Sequence, residues 1–92
     1  MIYKYELNWN ETTLTLPKGT NILSVGFQGD KLVIWVNTIT SEPEQHKFYA
    51  YVTGAEVKKG QVYIGTAKTA DDRFVLHVYR DFGIGDLIKG MF

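Results

Sequence analysis

Apolar residues in this chain recur at every second position, not at helical spacing. Leu14 and Leu16, Val25 and Phe27, Leu32, Ile34 and Val36, Phe48, Ala50 and Val52, and Leu76 and Val78 all follow this rule. A period of two places alternate side chains on one face of a strand, whereas a helix face needs a period near 3.6. The chain is therefore expected to be all-β. Turn residues divide it into about seven strands: Ile2 to Leu7, Thr12 to Leu16, Thr20 to Gln28, Lys31 to Thr38, His46 to Thr53, the pair of segments Glu56-Val57 and Gln61 to Thr66, and Arg73 to Arg80. Thr40 to Gln45 and Ala67 to Asp72 read as loops. With 92 residues there is room for one domain, since compact domains usually take roughly 100 residues each.

Two turns set register. Gly29-Asp30 is a two-residue hairpin loop with glycine first, as a type II′ turn requires. Gln28 then faces Lys31, Phe27 faces Leu32, Val25 faces Ile34 and Leu23 faces Val36. Gly26 with Val33 and Ser24 with Trp35 fall on the other face. Lys58-Lys59-Gly60 has the form of a type I turn closed by a glycine bulge, joining Glu56-Val57 to Gln61 to Thr66.

The alternation sorts the strands into two faces. The first holds Leu14, Leu16, Leu23, Val25, Phe27, Leu32, Ile34, Val36, Phe48, Ala50, Val52, Val62, Ile64, Phe74, Leu76 and Val78, and is the expected core. The second holds Val33, Trp35, Tyr49, Tyr51, Tyr63, Val75, His77 and Tyr79, with Gly26 and Gly65 leaving gaps between the rings. A strand face turned only to water would carry Thr, Lys and Glu instead. The expected architecture is a small antiparallel β-sandwich or partly open barrel over residues 1–80. A short apolar C-terminal tail follows over 81–92.

Composition removes several function classes. Ten basic and ten acidic residues give no electrostatic reason to bind nucleic acid or an anionic membrane. The absence of cysteine excludes a disulfide scaffold, a thiolate zinc site and a cysteine nucleophile. His46 and His77 are too few for a histidine metal site, and neither Ser24 nor Ser41 lies in a nucleophile-elbow sequence. Glu42 and Glu44, Asp71-Asp72, and Asp81 with Asp86 read as turn and loop formers. Gly83-Ile84-Gly85 lacks the strand-to-helix context of a phosphate loop. No catalytic residue, metal or cofactor is expected.

Pro17-Lys18-Gly19, Ile22-Leu23-Ser24-Val25, Leu32-Val33-Ile34-Trp35, Val52-Thr53-Gly54, Tyr63-Ile64-Gly65-Thr66 and Phe74-Val75-Leu76-His77-Val78-Tyr79 occur in that order. This series resembles a family of small phage and prophage proteins, over almost the whole chain up to Tyr79. Arg80 stands where that family usually has an acid, and Asp81 to Phe92 extend past its usual end. The resemblance implies an origin in a phage or mobile element, a compact β fold and no established enzyme chemistry.

The aromatic face is the strongest functional feature. Trp35, Tyr49, Tyr51, Tyr63, His77 and Tyr79 form either a binding surface or a second core layer covered by Tyr3, Tyr5 and Leu7 or by the tail. Tyrosine and tryptophan offer large contact area with a polar tip and are enriched in binding hot spots. The expected function is non-catalytic binding of a protein partner, a host factor or another copy of the chain, with sequestration of a small nucleotide signal as the alternative. In the tail, Phe82, Ile84, Leu87, Ile88, Met91 and Phe92 are expected to dock on their own domain or to form a homo-oligomer contact. No signal peptide and no apolar run of spanning length occurs, so a cytoplasmic protein is expected.

Overall fold

The computed structural model describes residues 1–38 and 42–81. Seven strands account for most of them: β1 (Ile2–Leu7), β2 (Glu11–Pro17), β3 (Asn21–Gln28), β4 (Lys31–Asn37), β5 (Pro43–Val52), β6 (Gln61–Lys68) and β7 (Val75–Asp81). They form two antiparallel sheets, one of order β1-β4-β3 and one of order β2-β5-β7-β6. The two sheets pack as a sandwich and do not close into a barrel. Among the described residues there is no helix, and so none long and apolar enough to cross a membrane.

The β3–β4 hairpin follows from its turn. Gly29 takes φ +62 while Asp30 stays at negative φ, and the strands pair from Gln28 with Lys31 to Ser24 with Trp35 in the expected register. Beyond that point the register shifts. Val36 pairs with Ile22 and not with Leu23, because a β-bulge lies between Ile22 and Ser24. Leu23, expected in the core, is 47% exposed, and Ile22 takes its place against the core.

A second bulge between Tyr63 and Gly65 shifts β6 against β7. Gly65 therefore faces inward, toward Val25 of β3, and does not open a gap between outward rings. Here the edges β3 and β6 come together and join the two sheets. The opposite link is the β1–β2 turn, which carries the chain from one sheet to the other. Asn8 Nδ2 donates to the Glu11 carbonyl, Asn8 N donates to Thr12 Oγ1, and Ala50 N donates to the Asn10 carbonyl.

Between the sheets lie Leu7, Leu16, Leu32, Ile34, Val36, Phe48, Ala67, Leu76 and Val78, all buried, with Tyr5, Leu14, Ile22, Val25, Phe27, Ala50 and Ile64 packed around them. Tyr5 and Leu7 thus contribute to the core from the three-stranded sheet and do not cover the aromatic face. Val52 and Phe74, expected in the core, are 60% and 50% exposed, because they stand at one open end of the sandwich. Trp9 fills part of that end, with its ring 5.3 Å from Phe27 and 5.2 Å from Phe74, edge-to-face in both cases.

The remaining differences concern loops. β5 begins at Pro43, inside the expected loop, where Pro43 pairs with Pro17 and Lys18 N donates to the Glu42 carbonyl. Ala67 and Lys68 continue β6. Glu56-Val57 forms no strand, although Gly60 does take the positive φ of a turn, +81. Asp81, the first residue of the expected tail, is the last of β7.

Candidate functional site

The aromatic set divides between the two sheets. Trp35 lies on β4, at the centre of the three-stranded sheet, while Tyr49, Tyr51, Tyr63, His77 and Tyr79 lie on β5, β6 and β7 of the four-stranded sheet. The expectation of a single face holding all six is therefore corrected. Alternation tells inward from outward but carries no information about which sheet a strand joins.

On the four-stranded sheet the geometry is tight. Phe48, Ala50 and Val78 point into the core, so Tyr49, Tyr51, His77 and Tyr79 point away from it. Tyr49 pairs with Tyr79, Tyr51 with His77, and Tyr63 with Tyr79 across the ladder. Cross-strand pairs of this kind bring side chains to about 5 Å. Tyr79 is the hub: its ring centroid lies 5.6 Å from that of Tyr51 and 5.4 Å from that of Tyr63, edge-to-face on both sides.

Hydrogen bonds lock the rings. Tyr51 OH donates to Gln61 Oε1 at 2.6 Å. Tyr63 OH and Thr66 Oγ1 share a hydrogen bond of 2.6 Å, and Thr66 Oγ1 in turn lies 3.0 Å from His77 Nδ1. Thr53 Oγ1 meets the other ring nitrogen, Nε2, at 2.9 Å. His77 is thus held at both nitrogens by threonine hydroxyls, which can each donate or accept. Tyr49 OH reaches Asp81 Oδ2 at 3.4 Å, and Lys58 Nζ sits 5.6 Å from the Tyr49 ring centroid. Desolvation on this face, followed by the Asp81 carboxylate, pushes the Tyr49 phenol above its ordinary value.

Beside His77 the surface dips. Tyr51, Val52, Thr53, Gly54, Ala55, Val57, His77 and Tyr79 line an open depression of about 230 Å³. This falls below the roughly 300–1,000 Å³ of a typical small-molecule pocket. None of its lining residues is a lysine or arginine, the side chains that usually hold a phosphate.

His46 lies apart from this face, on the core side of β5. Its Nε2 is buried and 3.3 Å from Glu44 Oε1, yet it makes no hydrogen bond. Burial lowers its pKa below the ordinary 6.5, Glu44 opposes that shift and Arg80 adds to it. Asp71 serves its turn: its Oδ1 accepts from Thr69 Oγ1 at 2.7 Å and from Arg73 N at 3.1 Å. Among the described residues no group of three His, Asp or Glu side chains could hold a metal ion. The expected oligomer contacts Phe82, Ile84, Leu87, Ile88, Met91 and Phe92 lie outside the described residues.

The chain belongs to the family described as a domain of unknown function, DUF7352, whose model matches residues 1–83. No curated protein and no solved structure matches it.

Proposed function

We propose that this domain is a non-catalytic binding module that holds a partner protein against the outer face of its four-stranded sheet. The observation that carries the reading is the convergence of Tyr51 and Tyr63 on Tyr79, edge-to-face on both sides, with Tyr49 across the ladder from Tyr79 and His77 across from Tyr51, and with bonds from Tyr51 to Gln61, Tyr63 to Thr66 and His77 to Thr53. Rings fixed before binding lose little entropy on contact, which is what makes tyrosine effective at the centre of an interface. Tyr63, 52% exposed, and the half-buried Tyr51 and Tyr79 offer both apolar area and hydroxyls. The resemblance to phage and prophage proteins makes a host protein the partner to look for.

The nucleotide alternative has less support, because the depression beside His77 is small and open and is lined by no lysine or arginine. A thermal-shift screen separates the two readings, since a ligand that binds only the folded state raises the melting temperature. The decisive experiment is capture from host lysate with the native chain, with Tyr51→Ala and Tyr79→Ala, and with Trp35→Ala on the other sheet. A partner retained by the native chain and by Trp35→Ala, and weakened by about 2 kcal/mol or more in both tyrosine variants, supports the surface. Equal capture by all four chains rejects it.

A further inference from the structure

Two open sheets leave strand edges, and the edges of this sandwich are not alike. β3 and β6 lie against each other, and each carries a bulge. β2 ends in Pro17, which has no N–H to offer a further strand. β1 has neither protection. It pairs with β4 from Ile2 to Leu7 without a register shift, and among the described residues no strand pairs with its other side. A regular edge of this kind is a template for another strand.

The ladder fixes what β1 presents there. Thr38 N donates to the Met1 carbonyl. Hydrogen-bonded pairs in an antiparallel ladder recur at every second residue, so Tyr3, Tyr5 and Leu7 bond to β4. Ile2, Lys4 and Glu6 therefore turn their N–H and C=O groups to the free side. Side chains alternate in step. Tyr5 and Leu7 belong to the core side, whereas Lys4 and Glu6 lie on the outer face, where they meet Gln28 and Lys31. Tyr3 is on the core side too, yet it is 42% exposed at this open edge.

We propose that β1 pairs antiparallel with β1 of a second copy of the chain, joining the two three-stranded sheets into one continuous sheet. The free backbone groups meet only where Ile2, Lys4 and Glu6 pair among themselves, and charge then selects the register. A two-fold axis at Lys4 sets two ammonium groups opposite each other, and an axis at Glu6 sets two carboxylates opposite each other. Like charges directly opposite destabilise a ladder. An axis at Tyr5 sets Lys4 of each copy opposite Glu6 of the other. It also brings the Tyr5 rings together and sets Tyr3 of each copy opposite Leu7 of the other. The order Lys4-Tyr5-Glu6 is thus self-complementary, as a symmetric contact requires. With ten basic and ten acidic residues, the chain has no long-range repulsion between copies to overcome. Pairing at β1 leaves the outer face of the four-stranded sheet open in both copies, so the dimer presents two tyrosine faces.

Size-exclusion chromatography with light scattering on the full chain, over a range of concentrations, tests the contact. The native chain is expected to run as a dimer at high micromolar concentration. Lys4→Glu and Glu6→Lys are each expected to weaken the dimer roughly tenfold or more, since each change sets like charges opposite each other. Lys4→Glu combined with Glu6→Lys is expected to restore it. Circular dichroism of the same samples checks that each variant keeps its strands. The chain contains no cysteine, so disulfide trapping reads the register independently. Tyr5→Cys places two thiols at the axis and is expected to give a linked dimer on oxidation, whereas Lys4→Cys sets them on a diagonal and is expected to link far less. A native chain that stays monomeric, a dimer indifferent to charge reversal, a double variant no better than either single one, or preferential linking through Lys4→Cys overturns the proposal.

Discussion

Gly65 of β6 lies so close to Val25 of β3 that a Cβ at position 65 would stand 2.8 Å from Val25 Cγ2 and 3.0 Å from Val25 Cβ. The missing side chain is what lets the two sheets meet along this seam. Gly65→Ala is therefore expected to destabilise the domain by about 1–3 kcal/mol, the usual cost of overpacking a tight interior. Urea unfolding would show a lower midpoint at unchanged slope. Gly26→Ala meets only the ring edge of Trp35, at 3.3 Å on the outer face, where the ring has room to shift. It is expected to cost less and to register chiefly in Trp35 fluorescence.

The β3–β4 turn gives a second expectation. Gly29 holds φ +62 with open space around it, so its constraint is conformational and not steric crowding. Gly29→Val is expected to cost on the order of 1–2 kcal/mol, since a β-branched residue resists the left-handed region. Gly29→Ala, which lacks the branch at Cβ, is expected to cost less than the valine. Chemical denaturation of both variants orders the two costs, and equal costs would show that the turn does not set them.

How much of this was legible depended on what each signal encodes. The pairing of Phe27 with Leu32 and Val25 with Ile34 could be read because turn chemistry and alternation agree there. The outward positions of Tyr49, Tyr51, His77 and Tyr79 follow from alternation alone, because β5 and β7 pair without a register shift. Leu23 could not be read in this way, because a bulge inverts alternation in the backbone without leaving a mark in the residues around it. Trp35 shares its outward period with the tyrosines but not their sheet, because face is written in the period while sheet membership is decided by long-range pairing. Trp9 stands between the first two expected strands, and nothing local foretells that β3 and the segment before β7 will bring Phe27 and Phe74 to its two edges.

That ring cluster carries its own expectation. Trp9 is 40% exposed, so its removal leaves no deep cavity, but it breaks two edge-to-face contacts. Such pairs contribute about 0.5–1.5 kcal/mol each beyond area burial. Trp9→Ala is expected to cost about 2 kcal/mol and Trp9→Phe a fraction of that. Equal losses in thermal unfolding would mean that ring contact is not what closes this end.

The threonines around His77 are not equivalent. Thr66 Oγ1 links Tyr63 OH to His77 Nδ1 from a half-buried position, whereas Thr53 Oγ1 meets Nε2 at the exposed surface. Thr66→Val removes two hydrogen bonds and is expected to cost about 1–2 kcal/mol, against a few tenths for Thr53→Val, where water replaces the hydroxyl. Both variants should change the ring nitrogen resonances of His77, and a silent Thr66→Val spectrum would break the proposed chain of contacts.

His46 makes stability depend on pH in a direction that its surroundings fix. Burial holds its pKa below 6.5, with Arg80 acting the same way and Glu44 against. The unfolded chain, whose His46 keeps the ordinary value, therefore binds the proton first as pH falls. Stability rises with pH wherever the unfolded state carries more protons. The contribution of His46 is thus complete above about pH 6.5 and declines below it, down to the lowered folded-state value. His46→Gln is expected to flatten the stability profile between pH 7 and about pH 5.5, with the native chain losing relatively more at the acid end. Asp71 acts in a separate window. Its carboxylate, held below 3.8 first by Thr69 and then by the Arg73 amide, loses its contribution only in stronger acid. Urea titrations of the native chain and of His46→Gln at closely spaced pH values test the assignment. Parallel profiles would place the buried nitrogen outside the linkage, and a native chain gaining stability toward pH 5.5 would make Glu44 the dominant neighbour of His46.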